Sequence, residues 1–423
     1  MHARPNNVGK DAVKEGKIPS KFLKPRYDGY SISNVPDTVA SLLGSASKRS
    51  IKDERLSEFR AADNVVLLLL DGFGSKLVEH ARNNFGIPSF DLLFAKALQL
   101  PITSVFPSTT SSAMSSLHTG LTPQEHGVIG YTMFLREIGT IAQMLRFVPI
   151  LGGRSMFDLG FDARDFLSGP TIHERLNSDG LSSTVYVPRY IVDSGLSRIT
   201  YRGAIIEPDN SVADMLVRTR RNLEQGRANS FHFLYHPSPD TIAHARGPHS
   251  EEFAVELDSI FALVRQELFQ KLDKNIAKRT VLLVTGDHGA VNVKNDEIMD
   301  IAAYQEFSSL LRLPPTGDSR ATILHVKDDN QKKVAQFFDT NFSGLFEVRE
   351  SQEMLNQGYF GIGEIMPETK HRIGDLIVLP RFHNAIDNSR IDPRHSEVPG
   401  RHGGLSEEEM QVPLIVTKLS PNP

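Results

Sequence analysis

NVVLLLLDGFG, Asn64 to Gly74, is the stretch from which the fold class of this 423-residue chain is read. Val65 to Leu70 are apolar without interruption, too many for a strand with one wet face and too few for a membrane span. They predict a strand buried on both faces, as in a parallel sheet covered by helices. Asp71 follows at its carboxyl end, and Gly72 and Gly74 permit a tight turn into a helix, the edge at which open α/β sheets collect ligands. An acid there is either a functional group or a helix cap, since Asp also satisfies free N–H groups at a helix start.

A second strand of the same kind lies far along the chain. TVLLVTGDHG, Thr280 to Gly289, carries the buried run Val281 to Val284 and ends in Asp287 and His288. Two buried strands delivering carboxylates to one sheet edge is what a metal centre requires. Between them, YHPSPDTIAHARGPH places Asp240 and His244 four residues apart, on one face if a helix follows Pro239. They are suited to one cation, or equally to a capping Asp and a surface His. FPSTTSSAMSSLHTG sets Ser108, Thr109 and Thr110 where a helix over Ser111 to Leu117 begins, stopped at Thr119-Gly120. A hydroxyl at a helix N-terminus meets free N–H groups and the positive dipole end, which favour an alkoxide or a phosphate as well as a plain cap.

Composition bounds the rest. Hydrophobic residues at 39%, charged residues at 23% and a formal charge of −4 describe a globular protein without the charge signature of a nucleic-acid or membrane binder. With no cysteine, disulfides, thiolate nucleophiles and Cys-ligated metals are excluded, so any metal must use His, Asp and Glu. The N-terminus is polar and no window is long and apolar enough for a signal core or a membrane span, so a cytoplasmic location without a membrane partner is expected.

The remaining elements fill in an alternating pattern. A polar leader runs to about residue 60 and includes a short helix near Thr38 to Leu43. Elements are expected at Lys76 to Arg82 (helix), Pro101 to Phe106 (strand), Thr171 to Asn177 (helix), Ser183 to Val187 (strand), Val212 to Leu223 (helix) and Ser230 to Tyr235 (strand). The stripe Phe253, Leu257, Ile260, Phe261, Val264, Leu268 is assigned to packing. Residues 131–170 show weak periodicity and read as an excursion lining a pocket. Residues 313–380 read as a small α+β cap with no acid or His pattern. The expected architecture is a three-layer α/β sandwich on a mostly parallel sheet. It comprises a leader at 1–60, a core at 61–312 and 381–423, and a cap at 313–380. His118, His126, His232, His236, His249 and His371 lack a carboxylate at ligand spacing and are read as structural or exposed; His395 has no assigned role.

Taken together, these segments and GRHGG at 400–404 resemble the type I phosphodiesterase/nucleotide pyrophosphatase family of the alkaline phosphatase superfamily, with the motifs in the family's order. The resemblance implies a metal-dependent hydrolase of phosphodiester or pyrophosphate bonds in small, nucleotide-like substrates, acting through a phosphothreonine. It makes Asp71, Thr110, Asp287 and His288 ligands of one zinc and Asp240, His244 and His402 ligands of the other, Mn²⁺ or Fe being alternatives. The register between Phe106-Pro107 and Thr119-Gly120 makes Thr110 the nucleophile. Nucleotide-cleaving relatives carry Phe-Pro-Asn after that threonine, the Asn touching a phosphate oxygen. Here Ser111-Ser112-Ala113 stands instead, so one of the two serines or the helix amides is expected to take that contact. The same two-metal core serves a phosphomonoesterase or a phosphonoacetate-type phosphonate hydrolase as the alternative reading. A non-catalytic metal-binding protein is the remote one.

Overall fold

The structure, a computed structural model, describes residues 20–162, 166–226, 229–391 and 398–419. Its strands are β1 (Asn64–Leu70), β2 (Leu98–Thr103), β3 (Thr132–Leu135), β4 (Thr140–Gln143), β5 (Val148–Pro149), β6 (Ser182–Pro188), β7 (Ile205–Asp209), β8 (Ser230–His236) and β9 (Thr280–Thr285). They continue as β10 (Thr316–Asp318), β11 (Ala321–Leu324), β12 (Phe346–Glu350), β13 (Leu376–Pro380) and β14 (Gln411–Lys418). Short two-stranded pairings lie outside these sheets.

The first sheet has the order β2-β14-β9-β1-β8-β6-β7. β1 is central and parallel to both neighbours, in register from Asn64 opposite Ser230 and Thr280. β14 alone runs antiparallel, between β9 and β2. The fold is therefore α/β with a central, mostly parallel sheet, as the sequence predicts.

Alternation of side chains about β1 explains the uninterrupted apolar run. Val65, Leu67 and Leu69 enter one hydrophobic cluster and Val66, Leu68 and Leu70 the other. Each such side chain contributes about 1.5–3 kcal/mol when fully buried. One cluster takes Met114 and Leu117 of helix α1 (Thr110–Thr119). The opposite cluster takes Met215 and Leu216 of α2 (Val212–Gln225), Ala243 of α3 (Ser238–Arg246) and Phe253, Leu257, Ile260, Phe261 and Val264 of α4 (Glu251–Val264).

The sequence reading and the structure part at two places. The strand expected to open at Pro101 starts at Leu98, because Pro101 lies opposite Pro413 inside the β2–β14 ladder rather than at its end. The stretch 131–170 is not featureless. It supplies β3–β5, which continue the antiparallel second sheet β12-β13-β11-β10-β3-β4-β5 through the pairing of Thr132 with Gly317. Strands of two to four residues are too short to show an alternation in sequence.

A fully buried ion pair ties the second sheet to the first. Arg320 gives two hydrogen bonds to Glu409, at 2.8 and 2.9 Å, and two more to the Phe382 and Asn384 carbonyls. Glu409 in turn accepts the Gly404 N–H at 2.9 Å, which shapes the loop after His402.

Candidate active site

Asp71, Thr110, Asp240, His244, Asp287, His288 and His402, dispersed over more than three hundred positions, converge at the carboxyl edge of the first sheet. Asp71 leaves β1, Asp287 and His288 leave β9, Asp240 and His244 share one face of α3, and Thr110 opens α1. Local packing forces this closeness. Gly72 has φ +73°, and a Cβ there would stand 3.1 Å from Asp240 Cα, so the turn after β1 rests directly on the first turn of α3. Gly403, at φ +115°, leaves room for Asp318, whose Cβ would stand 2.6 Å from a residue 403 side chain.

His288 Nε2 lies 3.2 Å from Thr110 Oγ1, 3.4 Å from Asp287 Oδ2 and 3.5 Å from Asp71 Oδ1. His244 Nε2 lies 3.1 Å from Asp240 Oδ2 and 3.3 Å from His402 Nε2. All three imidazoles are oriented in the same way. The Nδ1 atoms of His244, His288 and His402 face the carbonyls of Gly400, Gly289 and Ser108 at 2.7, 3.0 and 3.2 Å, which leaves every Nε2 turned inward as a lone-pair donor.

The acids have too few donors. Asp71 Oδ1, Asp240 Oδ1 and Asp287 Oδ2 are buried without a hydrogen-bond partner. Ligand atoms of Asp71, Asp240 and His288 lie within 4.8 Å of one another, as do those of Asp240, His244 and His402. Two carboxylates at that separation repel by roughly 3 kcal/mol at an effective dielectric constant of about 20. Burial, then the Asp287 and Asp240 charges, push the Asp71 carboxyl well up, and burial pushes Asp287 up to about 6. Burial also works to raise Asp240, but the imidazoles of His244, His402 and His288 outweigh it and hold that acid down. Burial takes His402 down to about 3 and lowers His288 as well. Three inward-facing imidazole Nε2 atoms and three buried carboxyl oxygens without a hydrogen-bond partner form a donor set that fits hard or borderline cations.

A cavity of about 420 Å³ is lined by Thr110, Asp240, His244 and His402 and by Tyr131, Thr316 and Asp318 of the second-sheet region. A larger groove of about 740 Å³, between Lys24 and Ile365, touches none of the seven residues.

The family profile described as type I phosphodiesterase / nucleotide pyrophosphatase matches residues 65–405. The chain belongs to that family. Its members are phosphoric ester hydrolases, and this family member is one of them. No curated protein sequence matches it. Among solved structures, murine ectonucleotide pyrophosphatase/phosphodiesterase 5, as an inactive variant with AMP, superposes with a TM-score of 0.63 at 16% identity over 83% of this chain and 87% of its own. The human counterpart gives 0.60 at 16% identity over 83% and 87%. Phosphonoacetate hydrolase from Sinorhizobium meliloti, with phosphonoformate, gives 0.61 at 17% identity over 85% and 90%. At these identities the likeness is one of fold.

Several features of this phosphodiesterase-family site were not legible in sequence. The Tyr235 hydroxyl donates to Asp71 Oδ2 at 2.5 Å, and the Gly72 and His288 N–H groups each donate to Asp287 Oδ1 at 3.0 Å. Tyr235 lies in a strand that also carries Ser230, His232 and His236, so no local pattern singled it out. Neither Ser111 nor Ser112 lines the cavity, and the Ser112 hydroxyl is buried without a hydrogen-bond partner. Both are fully buried, Ser111 donates to the Gly130 carbonyl, and Ala113 packs in the core. Besides Thr110, the described hydroxyl-bearing residues that line the cavity are Thr109, Tyr131, Thr132, Thr316, Ser319 and Thr322. Among the histidines read as structural, His236 has a carboxylate after all, Glu256 at 3.6 Å. His395 lies outside the described residues. Among the described residues no helix is long and apolar enough to cross a membrane.

Proposed function

We propose that the protein hydrolyses phosphodiester or pyrophosphate bonds in small, nucleotide-type substrates, with Thr110 as nucleophile and a phosphothreonine intermediate. The observation that carries this reading is the place of Thr110, at the first position of α1, 3.2 Å from His288 Nε2 and open to the cavity. Asp71, Thr110, Asp287 and His288 would hold one zinc ion and Asp240, His244 and His402 a second, with Mn²⁺ or Fe acceptable to the same atoms. Bound cations supply Lewis acidity to the attacking and departing oxygens, and their charge of about +4 balances about −3 from the aspartates and −1 from an ionised threonine.

Thr110 Oγ1 forms a bond to phosphorus as the bond to the departing oxygen breaks on the opposite side. Water then attacks the phosphothreonine and returns the hydroxyl. The free amides at the start of α1 face the phosphoryl oxygens and stabilise the charge that builds on them. A threonine β-carbon restricts χ1, which keeps the hydroxyl in line. The murine relative's AMP ligand supports a substrate of nucleotide type. The test is turnover by metal-replete protein of p-nitrophenyl mono- and diesters, nucleotide pyrophosphates and phosphonoacetate, with acid-quenched protein examined by mass spectrometry for phosphate on Thr110. A monoester preferred tenfold or more in kcat/KM, about 1.4 kcal/mol of discrimination, would promote a phosphomonoesterase instead.

A further inference from the structure

We propose that a second binding site lies at the carboxyl edge of the first sheet, between the ends of β6, β7 and β8 and the start of α3, and that it takes an organic ammonium ion with N–H groups and an apolar body. None of the seven residues of the candidate active site lines this cavity, and the inference does not rest on the phosphoryl-transfer reading.

The cavity measures about 490 Å³ and is lined by Asp209 at the end of β7 and His236 at the end of β8, with Pro188, Tyr190, Pro237 and Ile242 around them. Asp209 is only 2% exposed, and its Oδ2 is buried without a hydrogen-bond partner, as is Nδ1 of His236. Burial pushes the Asp209 carboxyl up to about 6, so that at pH 7.5 a carboxylate still stands there. His236 Nε2 faces Glu256 Oε1 at 3.6 Å, which places the proton of a neutral ring on Nε2 and leaves Nδ1 as an acceptor. Among the described residues, then, two acceptors meet at one cavity and neither receives a donor. The neighbouring guanidinium groups turn to other partners. Arg189 is exposed and donates through Nε to Asn210 Oδ1 at 3.3 Å, and Arg218 binds Glu207 and, at 3.0 Å, the Pro208 carbonyl.

A buried carboxylate that no donor meets is costly, and a ligand that brings donors removes that cost on binding. An ammonium ion brings charge and several N–H groups together, one for Asp209 and another for the His236 ring. Tyr190, 79% exposed, offers its ring face to the cation or to the carbon chain behind it. Pro188, Pro237 and Ile242 supply apolar surface for an aryl or alkyl body. A metal ion fits less well. Asp209 and His236 provide two ligands, and among the described residues the groups of three or more metal-ligating side chains are both in the candidate active site. The volume is in the range of small-molecule pockets.

The test is calorimetric titration of full-length zinc-loaded protein at pH 7.5 with 2-phenylethylammonium, its N,N,N-trimethyl analogue and 2-phenylethanol. The trimethyl ion keeps the charge and the ring but has no N–H, and the alcohol keeps the ring without the charge. The primary ammonium is expected to bind about tenfold or more tightly than either. Asp209→Asn, which keeps the shape and removes the charge, should weaken its binding about tenfold or more, and Tyr190→Ala about threefold or more, with the circular dichroism of both variants unchanged. Absence of binding, an affinity equal to that of either analogue, or an affinity unmoved by both substitutions overturns the inference. Displacement of the bound ammonium by millimolar Mg²⁺ or Ca²⁺ overturns it as well, since the site would then be one for a metal ion.

Discussion

The two halves of the candidate site are built on opposite plans. Asp71, Asp287 and His288 form a sealed half: all three are buried, and their outer atoms are held by Tyr235, by two backbone N–H groups and by the Gly289 carbonyl. Asp240, His244 and His402 form an open half that lines the cavity, with a third of the His244 side chain exposed. Its two imidazoles hang on the carbonyls of Gly400, in a short strand paired with Asn292, and of Ser108, neither of which belongs to β1 or β9. The sealed half has two acids and one imidazole, the open half one acid and two. A closed, acid-rich pocket suits a cation that must stay and hold Thr110. An open, imidazole-rich one suits the side where water enters and the product leaves.

The largest expected effect tests whether Thr110, beside the sealed half, is the nucleophile. Thr110→Ala should lower kcat by about 10⁴-fold or more, with fold and most bound metal retained, whereas Thr109→Ala should cost far less. Thr110→Ser should keep partial activity. Steady-state kinetics on the three variants decide this, and an inactive Thr109→Ala beside an active Thr110→Ala would transfer the role to the neighbour.

Metal content measures the contrast directly. Elemental analysis of protein purified without chelator should find close to two zinc equivalents per chain. His402→Ala should lower this to near one, and a chelator titration of the wild type should empty one site first, by about tenfold or more in chelator concentration. Two sites that empty together would dissolve the distinction between halves, and zinc content near zero that added zinc cannot raise would remove the metal centre altogether.

Tyr235→Phe sharpens the account of the sealed half. Removing the hydroxyl that donates to Asp71 is expected to weaken zinc retention there on the order of 10–100-fold while leaving the open half unchanged. Competition with a chromophoric chelator reads both.

The smallest effect comes from an acid outside both halves. Asp209, at the end of β7, is buried with one oxygen unpartnered, and burial pushes its carboxyl up to about 6. Its charged form is disfavoured in the folded state, so the penalty is absent below the unfolded value of about 4 and fully present above about 6. Asp209→Asn should therefore raise the unfolding temperature at pH 7.5 by a few degrees and leave it nearly unchanged at pH 4. A gain of equal size at both values would mean that the effect is steric rather than electrostatic.

The sealed half was largely readable before any coordinates, and the reason is local. A six-residue apolar run ending in Asp71 and another ending in Asp287-His288 each state that a buried strand stops at a polar edge. The open half was readable only in part. Asp240 and His244 follow from the four-residue spacing of a helix, but His402 sits in a loop with no periodicity and was placed by its resemblance to a known motif. Ser111, Ser112 and Ala113 are buried beside Thr110, because a helix start directs successive side chains to different faces.

By itself, the sequence determined the parallel core, the acids at the ends of two buried strands, the Asp240 and His244 pair and the place of a hydroxyl at a helix start. These are carried by periodicity and by the chemistry of single segments, which the chain states within ten or twenty residues. Only the tertiary structure decided that β3–β5 complete the second sheet, that Tyr235 secures Asp71, that Arg320 and Glu409 lock the loop after His402, and that residues from 109 to 402 line one cavity. Each joins residues 80 to 300 or so positions apart in the chain, and each depends on which buried donors find which acceptors, a matter settled by packing and not by any local pattern.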